Sequence, residues 1–377
     1  MSPSFALYIH VPFCEKRCIY CDFYSTTSGS EVRQRYVEAL CRELITQREL
    51  MGAGEVKSIY FGGGTPSQLS IEELAQIFQT IRLHYTVNPQ AEITFEANPD
   101  DVTNERVGAW QQLGINRVSL GVQTFDDDLL TVLRRRHTAA QAREAVRALT
   151  EGGLTNVSID LIYGLPLQSL ARFTQDLAEA FALPITHLSS YALSVEDGTP
   201  LSRMVARGEL TPADDELCLA CYEALMDAAS QAGFTHYEIS NFAREGYHSR
   251  HNTAYWDGTP YLGCGPGAHS YNGKDRRWYN LPHLANYLQS PGIPPQEVET
   301  LSVDEQYDDL LFTALRTRRG LSLQTVADRF GIHRLDYLRR QAGRQLAVGN
   351  LEEENGVYRL TRKGIFISDT IISDLMA

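Results

Sequence analysis

The sequence predicts an α/β fold, an incomplete (β/α)6 barrel followed by a smaller α+β C-terminal region. Two patterns carry this reading. Six short apolar runs each end in a polar or glycine-rich turn, with helical patterns between them. Strands that alternate with helices make a parallel sheet, and six units are too few to close an eight-unit barrel. After about residue 196 the alternation stops.

The six runs are Phe5–Val11, Val56–Phe61, Ala91–Ala97, Arg117–Val122, Asn156–Tyr163 and His187–Leu193. Between them, Glu31–Leu50, Ile71–His84 and Ala139–Glu151 repeat apolar residues at helical spacing. These elements assign residues 1–195 to the barrel. A second segment, 196–300, is expected to hold a helix near Asp214–Ala232 and a strand at His236–Ile239, then a Gly-, Pro- and aromatic-rich stretch through Asn280. Pro291–Pro295 reads as a linker. The third segment, 301–377, carries helical patterns around Gln306–Thr317, Leu323–Phe330 and His333–Ala342, a hairpin from Leu351 to Leu360, and a last helix beginning near Thr361. Three short helices and a hairpin resemble a winged helix.

The net charge of −13 argues against a surface dedicated to nucleic acid. It is unevenly spread: residues 310–364 hold 11 Lys+Arg against 5 Asp+Glu, so this stretch carries +6 and the remainder −19. Arg316, Arg318, Arg319, Arg339 and Arg340 make the tail a candidate docking surface for an acidic partner or an anionic membrane face; a solvated helix face would carry the same charges. The N-terminus lacks a basic flank leading into an apolar stretch and cleavage site, and no segment approaches the roughly 18 unbroken apolar residues of a membrane span. The expected location is therefore cytoplasmic, with peripheral contact at the inner face of the membrane. Seven cysteines are an odd number, and in a reducing compartment a local cysteine cluster points to metal more than to disulfides.

Spacing then becomes informative. Cys14, Cys18 and Cys21 form a C-x₃-C-x₂-C loop directly after the first expected strand. Three thiolates within eight residues can hold three irons of a cubane, leaving the fourth open to an outside ligand. A zinc site or a set of inert thiols are the other readings, and zinc would want a fourth protein ligand. Cys218 and Cys221 fall inside an expected helix and read as packing, as does Cys41. Cys264 lies in a tight glycine-rich loop. Gly62-Gly63-Gly64-Thr65-Pro66 ends the second run, where glycines let backbone approach a ligand closely. Glu96, Gln123, Asp160 and Ala192 each lie at or near the C-terminal end of a later run, the face that carries the site in βα barrels. A cap or a turn would account for any one of the polar residues alone.

The cysteine loop, with Tyr20 before its last cysteine, resembles the radical S-adenosylmethionine (SAM) superfamily. That resemblance implies a [4Fe–4S] cluster on Cys14, Cys18 and Cys21, whose open iron binds the amino and carboxylate groups of SAM. It implies that one electron from the cluster can cleave SAM to a 5′-deoxyadenosyl radical, so that an electron donor is needed. It also makes Gly63, Gly64 and Thr65 the loop for the SAM amino group. By similarity to the coproporphyrinogen III dehydrogenase group, Tyr8, Tyr20, Glu96, Gln123, Arg135 and Asp160 line the SAM pocket together with Ala192, and Arg135 pairs with the SAM carboxylate.

Nearly the whole chain is similar to the haem-chaperone branch of this oxygen-independent coproporphyrinogen III oxidase-like family. The dehydrogenase resembles C-x₃-C-x₂-C-x-C, whereas Phe23 stands here at the fourth position and only 13 residues precede Cys14. His251-Asn252-Thr253-Ala254-Tyr255-Trp256 matches the branch motif HNxxYW. The resemblance implies haem as cargo, haem-requiring respiratory apoproteins as recipients, and no decarboxylation of coproporphyrinogen III. His251 is the expected axial haem ligand, although a core position would also suit that residue. The alternative reading is the dehydrogenase itself. A nucleic-acid reader built on the tail rests on fold analogy alone.

Overall fold

The computed structural model describes residues 4–377. The chain begins as β1 (Ser4–Val11), α1 (Ser30–Gln47), β2 (Glu55–Gly63), α2 (Ile71–His84), β3 (Thr86–Ala97), α3 (Asn104–Gln112) and β4 (Arg117–Gln123). It continues through α4 (Asp127–Val132), α5 (Ala139–Glu151), β5 (Val157–Tyr163), α6 (Leu170–Ala182) and β6 (His187–Ala192). β1 to β6 pair in sequence order and all in parallel. This is the expected barrel, with strand limits close to the apolar runs except that β3 begins earlier, at Thr86 instead of Ala91.

The strands are largely buried on both faces. Side chains alternate between the faces. Leu7, Ile9, Ile59, Phe61, Phe95, Val118, Leu120, Ile159 and Leu188 enter the large apolar core. Tyr8, Tyr60, Glu96, Ser119, Asp160 and Ser189 take the alternate positions, so the inner face of the sheet is polar and aromatic. The helices begin where side chains supply caps: Ser70 with Glu73 on α2 and Thr138 with Gln141 on α5 both form capping boxes.

The middle segment is built into the same sheet. After α7 (Pro200–Ala206) and α8 (Asp215–Gln231), β7 (Thr235–Glu238) and β8 (Asn241–Ala243) extend the β6 edge. α9 (Arg250–Trp256) follows. β9 (Tyr261–Cys264), β10 (His269–Tyr271), β11 (Arg276–Asn280), α10 (Leu284–Gln289) and β12 (Gln296–Thr300) complete the segment. β9 adds to the other edge, in parallel with β1, and β10 to β12 continue outward to give twelve strands. The loop around Pro291–Pro295, read as a linker, thus leads back into the sheet through β12.

The C-terminal region holds α11 (Val303–Leu315), β13 (Leu321–Ser322), α12 (Leu323–Phe330), α13 (Ile332–Ala347), β14 (Leu351–Glu354), β15 (Val357–Leu360), α14 (Arg362–Ile365) and α15 (Ser368–Leu375). A three-stranded sheet in the order β13-β15-β14 packs with the helices around its own core of Tyr307, Leu311, Leu338, Tyr358 and Ile371. No helix among the described residues is long and apolar enough to cross a membrane.

Candidate functional site

β1 ends at Val11, and the cysteine loop leaves the C-terminal mouth of the barrel there. Two hydrogen bonds pin its arms together, from Cys14 N to the Thr26 carbonyl (3.0 Å) and from Thr26 N to the Pro12 carbonyl (2.7 Å). Ile19 is fully buried and anchors the middle: its carbonyl accepts from Leu201 N at 2.9 Å. Tyr20 packs against Leu129, Leu133, Ile162 and Leu165. Cys14, Cys18 and Cys21 are left half-buried and free. Burial pushes the Cys21 thiol up to about 11, and the nearby Cys18 and Cys14 add to the effect. The Cys21 thiol thus ionises at a cost that a bound cation would offset. Among the described residues no three His, Cys, Asp or Glu converge on a single metal ion. A cubane asks for one thiolate on each of three irons, not for convergence on one point.

Around the thiols the chain presents donors and bare backbone. Arg135 Nη1 donates to Cys18 Sγ at 3.3 Å, while Nη2 donates to Asn98 Oδ1 at 2.7 Å and to the Gly121 carbonyl at 2.6 Å. Its Nε is buried without a partner. Thr65 Oγ1 donates to Cys14 Sγ at 3.5 Å. Gly63 adopts φ +107°, a conformation that side chains resist, and a Cβ on Gly64 would stand 2.7 Å from the Phe13 carbonyl. The glycine loop therefore lies directly against the cysteine loop.

Deeper in the barrel, Glu96 accepts from Tyr60 Oη at 2.7 Å. Burial pushes its carboxyl up to about 7, with Asp160 adding and the Tyr60 bond and Arg117 opposing. Asp160 is likewise raised by burial to about 6 against bonds from Ser189 and Ser119. Gln123 sits at φ +69° beside Gly121, whose missing Cβ leaves room for Arg135. Tyr8 Oη lies 3.1 Å from His10 Nδ1, and Ala192 closes β6 at the exposed mouth. Sequence reasoning missed Arg117, Tyr60 and Asn98. Arg117 is 1% exposed yet charged, and its position at the start of an apolar strand was the available signal.

His251 lies deep in the fold. It is 1% exposed on α9, with Nδ1 3.0 Å from Ser58 Oγ and Nε2 3.0 Å from Tyr255 Oη. Its ring packs between Tyr60 and Tyr8 beneath the sheet's inner face. Burial holds it down to about 3. Both nitrogens thus have hydroxyl partners inside the protein, and axial ligation of haem iron by His251 would require one of these bonds to be exchanged.

Comparison with known proteins bears on the same residues. A model described as the radical SAM superfamily matches residues 8–180, and one described as the HemN C-terminal domain matches residues 301–367. "Heme chaperone HemW" from Mycobacterium tuberculosis is 37% identical over 99% of this chain and 95% of its own length. "Heme chaperone HemW" from Bacillus subtilis is 35% identical over 97% of each. The chain belongs to the HemW family. In fold, this chain superposes on the coproporphyrinogen III oxidase HemN of Escherichia coli with a TM-score of 0.87, at 21% identity over 100% of this chain and 91% of that one. The radical SAM domain of this chain implies a [4Fe–4S] cluster and SAM. The orphaned Arg135 Nε, the glycine loop and the crowded thiols are a donor set suited to both.

Proposed function

We propose that this protein is a haem chaperone, which binds haem and passes it to haem-requiring respiratory apoproteins. The observation that carries the reading is the near full-length similarity to proteins named haem chaperones. Phe23, 63% exposed at the position of the dehydrogenase's fourth cysteine, supports it from the chain itself.

We assign Cys14, Cys18 and Cys21 to the cluster, and Tyr8, Tyr20, Gly63, Gly64, Thr65, Glu96, Gln123, Arg135, Asp160 and Ala192 to SAM. When bound, these groups supply one-electron chemistry, for which an electron donor is a further partner. Arg135 is held by Asn98 and the Gly121 carbonyl, so its guanidinium is oriented before an anionic group arrives. Glu96, with its carboxyl raised to about 7, can hold or share a proton near neutrality. The three segments divide the labour: 1–195 for cluster and SAM, 196–300 for the HNxxYW motif, and 301–377 for docking. Arg339 and Arg340 are exposed and form no ion pair among the described residues, which supports contact with an anionic membrane face from the cytoplasm.

The dehydrogenase reading is separated by product analysis. The anaerobically reconstituted protein, given coproporphyrinogen III, SAM and a reductant, is expected to form no protoporphyrinogen IX while binding hemin in the same preparation. Multiple-turnover formation of protoporphyrinogen IX would replace the chaperone reading with the enzyme.

A further inference from the structure

A cleft of about 520 Å³ opens between the end of α9, the strands β9 to β11 and the helices α11 and α12 of the C-terminal region. Its size falls within the roughly 300–1,000 Å³ of small-molecule sites. Tyr255, Trp256, Tyr261, Tyr271 and Phe312 line it. Tyr255 and Tyr261 meet edge to face at 4.7 Å, and Tyr261 lies 6.0 Å from Tyr271, so one wall is a continuous aromatic surface. Phe312 on α11 is 39% exposed, with the Arg316 guanidinium over its ring at 3.9 Å.

The cleft also carries charge. Arg277, Arg319 and Arg329 line it against Asp257 and Asp309. Arg277 is paired with Asp309 at 2.6 Å, and Arg319 stands at 3.8 Å from Asp257 with 63% of its side chain exposed. Arg329 is exposed and has no ion-pair partner among the described residues; its guanidinium lies over the Phe330 ring. The lining contains no histidine, cysteine or methionine. Aromatic walls with cations at the rim suit a flat apolar ring that ends in carboxylates.

We propose that this cleft seats haem, with the aromatic side chains covering the macrocycle and Arg319 and Arg329 receiving its propionates. The proposal rests on the haem-chaperone reading and names its site. It gives the motif a division of work: Tyr255 and Trp256 touch the cargo, and His251 holds Tyr255 in place through its 3.0 Å bond to the phenol. The grip is on the ring and its carboxylates, which suits a cargo that has to be released.

The test titrates full-length protein with hemin, hemin dimethyl ester and metal-free protoporphyrin IX. It compares the wild type with Arg319→Glu/Arg329→Glu, with Phe312→Ser and with His251→Gln, following affinity and the Soret band. Protoporphyrin IX should bind the wild type about as tightly as hemin. The double charge reversal should weaken hemin by about tenfold or more and leave the dimethyl ester unaffected, with the iron–sulfur absorption intact as a check on folding. Phe312→Ser should weaken all three ligands. His251→Gln should weaken hemin without moving its Soret band, whereas loss of an axial ligand would move it. If the wild type binds hemin and these variants bind it equally, or metal-free porphyrin is refused, the cleft is overturned and the chaperone reading stands. If the wild type binds no hemin at all, the chaperone reading falls and the cleft with it.

Discussion

Cys14, Cys18 and Cys21 can be examined one at a time, because no other cysteine is close enough to substitute for them in the same loop. Each serine replacement is expected to abolish the iron–sulfur absorption after anaerobic reconstitution, since thiolates supply the iron ligands. Retention of cluster iron and sulfide by the triple-serine variant would contradict the assignment. His251 gives a second test at this scale. Buried at about 3 in the fold, it stays neutral while the unfolded chain takes up a proton near the ordinary value of about 6.5. Its contribution is therefore complete above about pH 6.5 and is lost as the pH falls below it. The stability difference between wild type and His251→Gln should narrow by about 2 kcal/mol between pH 7.5 and pH 5, measured by urea unfolding. A difference independent of pH would contradict neutral burial. The cysteines were legible in the sequence because their spacing alone encodes the ligand set. His251 was legible as a motif but not as a geometry, because only the fold brings Ser58 and Tyr255 to its two nitrogens.

At the scale of elements, the glycine loop after β2 and the cysteine loop after β1 touch through backbone. Gly64→Ala would place a methyl 2.7 Å from the Phe13 carbonyl and 2.9 Å from the Val11 carbonyl, neither of which can rotate aside. Overpacking of this kind costs about 1–3 kcal/mol. The variant should show a lower urea midpoint with unchanged slope, and faster loss of iron than the wild type. A wild-type midpoint would mean that the two loops separate freely. The six barrel strands were readable because each places apolar residues at alternate positions on the helix-covered face and ends in a polar or glycine-rich turn. β8 to β12 were not, because runs of three to five residues interrupted by glycine and proline carry too little periodicity. Their pairing is imposed by the edges of a sheet already formed. Arg117 shows the same limit from within, since a charge inside an apolar run acquires its meaning from Glu96 and Asp160 on neighbouring strands.

Across the whole molecule, residues 310–364 carry +6 against −19 elsewhere, and the C-terminal helices and hairpin pack around a core of their own. Sequence could not reveal that this module faces the HNxxYW motif across an aromatic cleft, because the facing residues lie more than fifty positions apart. Haem delivery is the claim that joins these parts. It is tested most directly by loading the reconstituted protein with hemin and mixing it with the apo form of a haem b-containing respiratory protein, following the recipient's Soret band and activity. The chaperone reading predicts that the recipient gains haem and activity faster than from the same concentration of free hemin. Hemin that stays on this protein, or a recipient filled no faster than by free hemin, would contradict it.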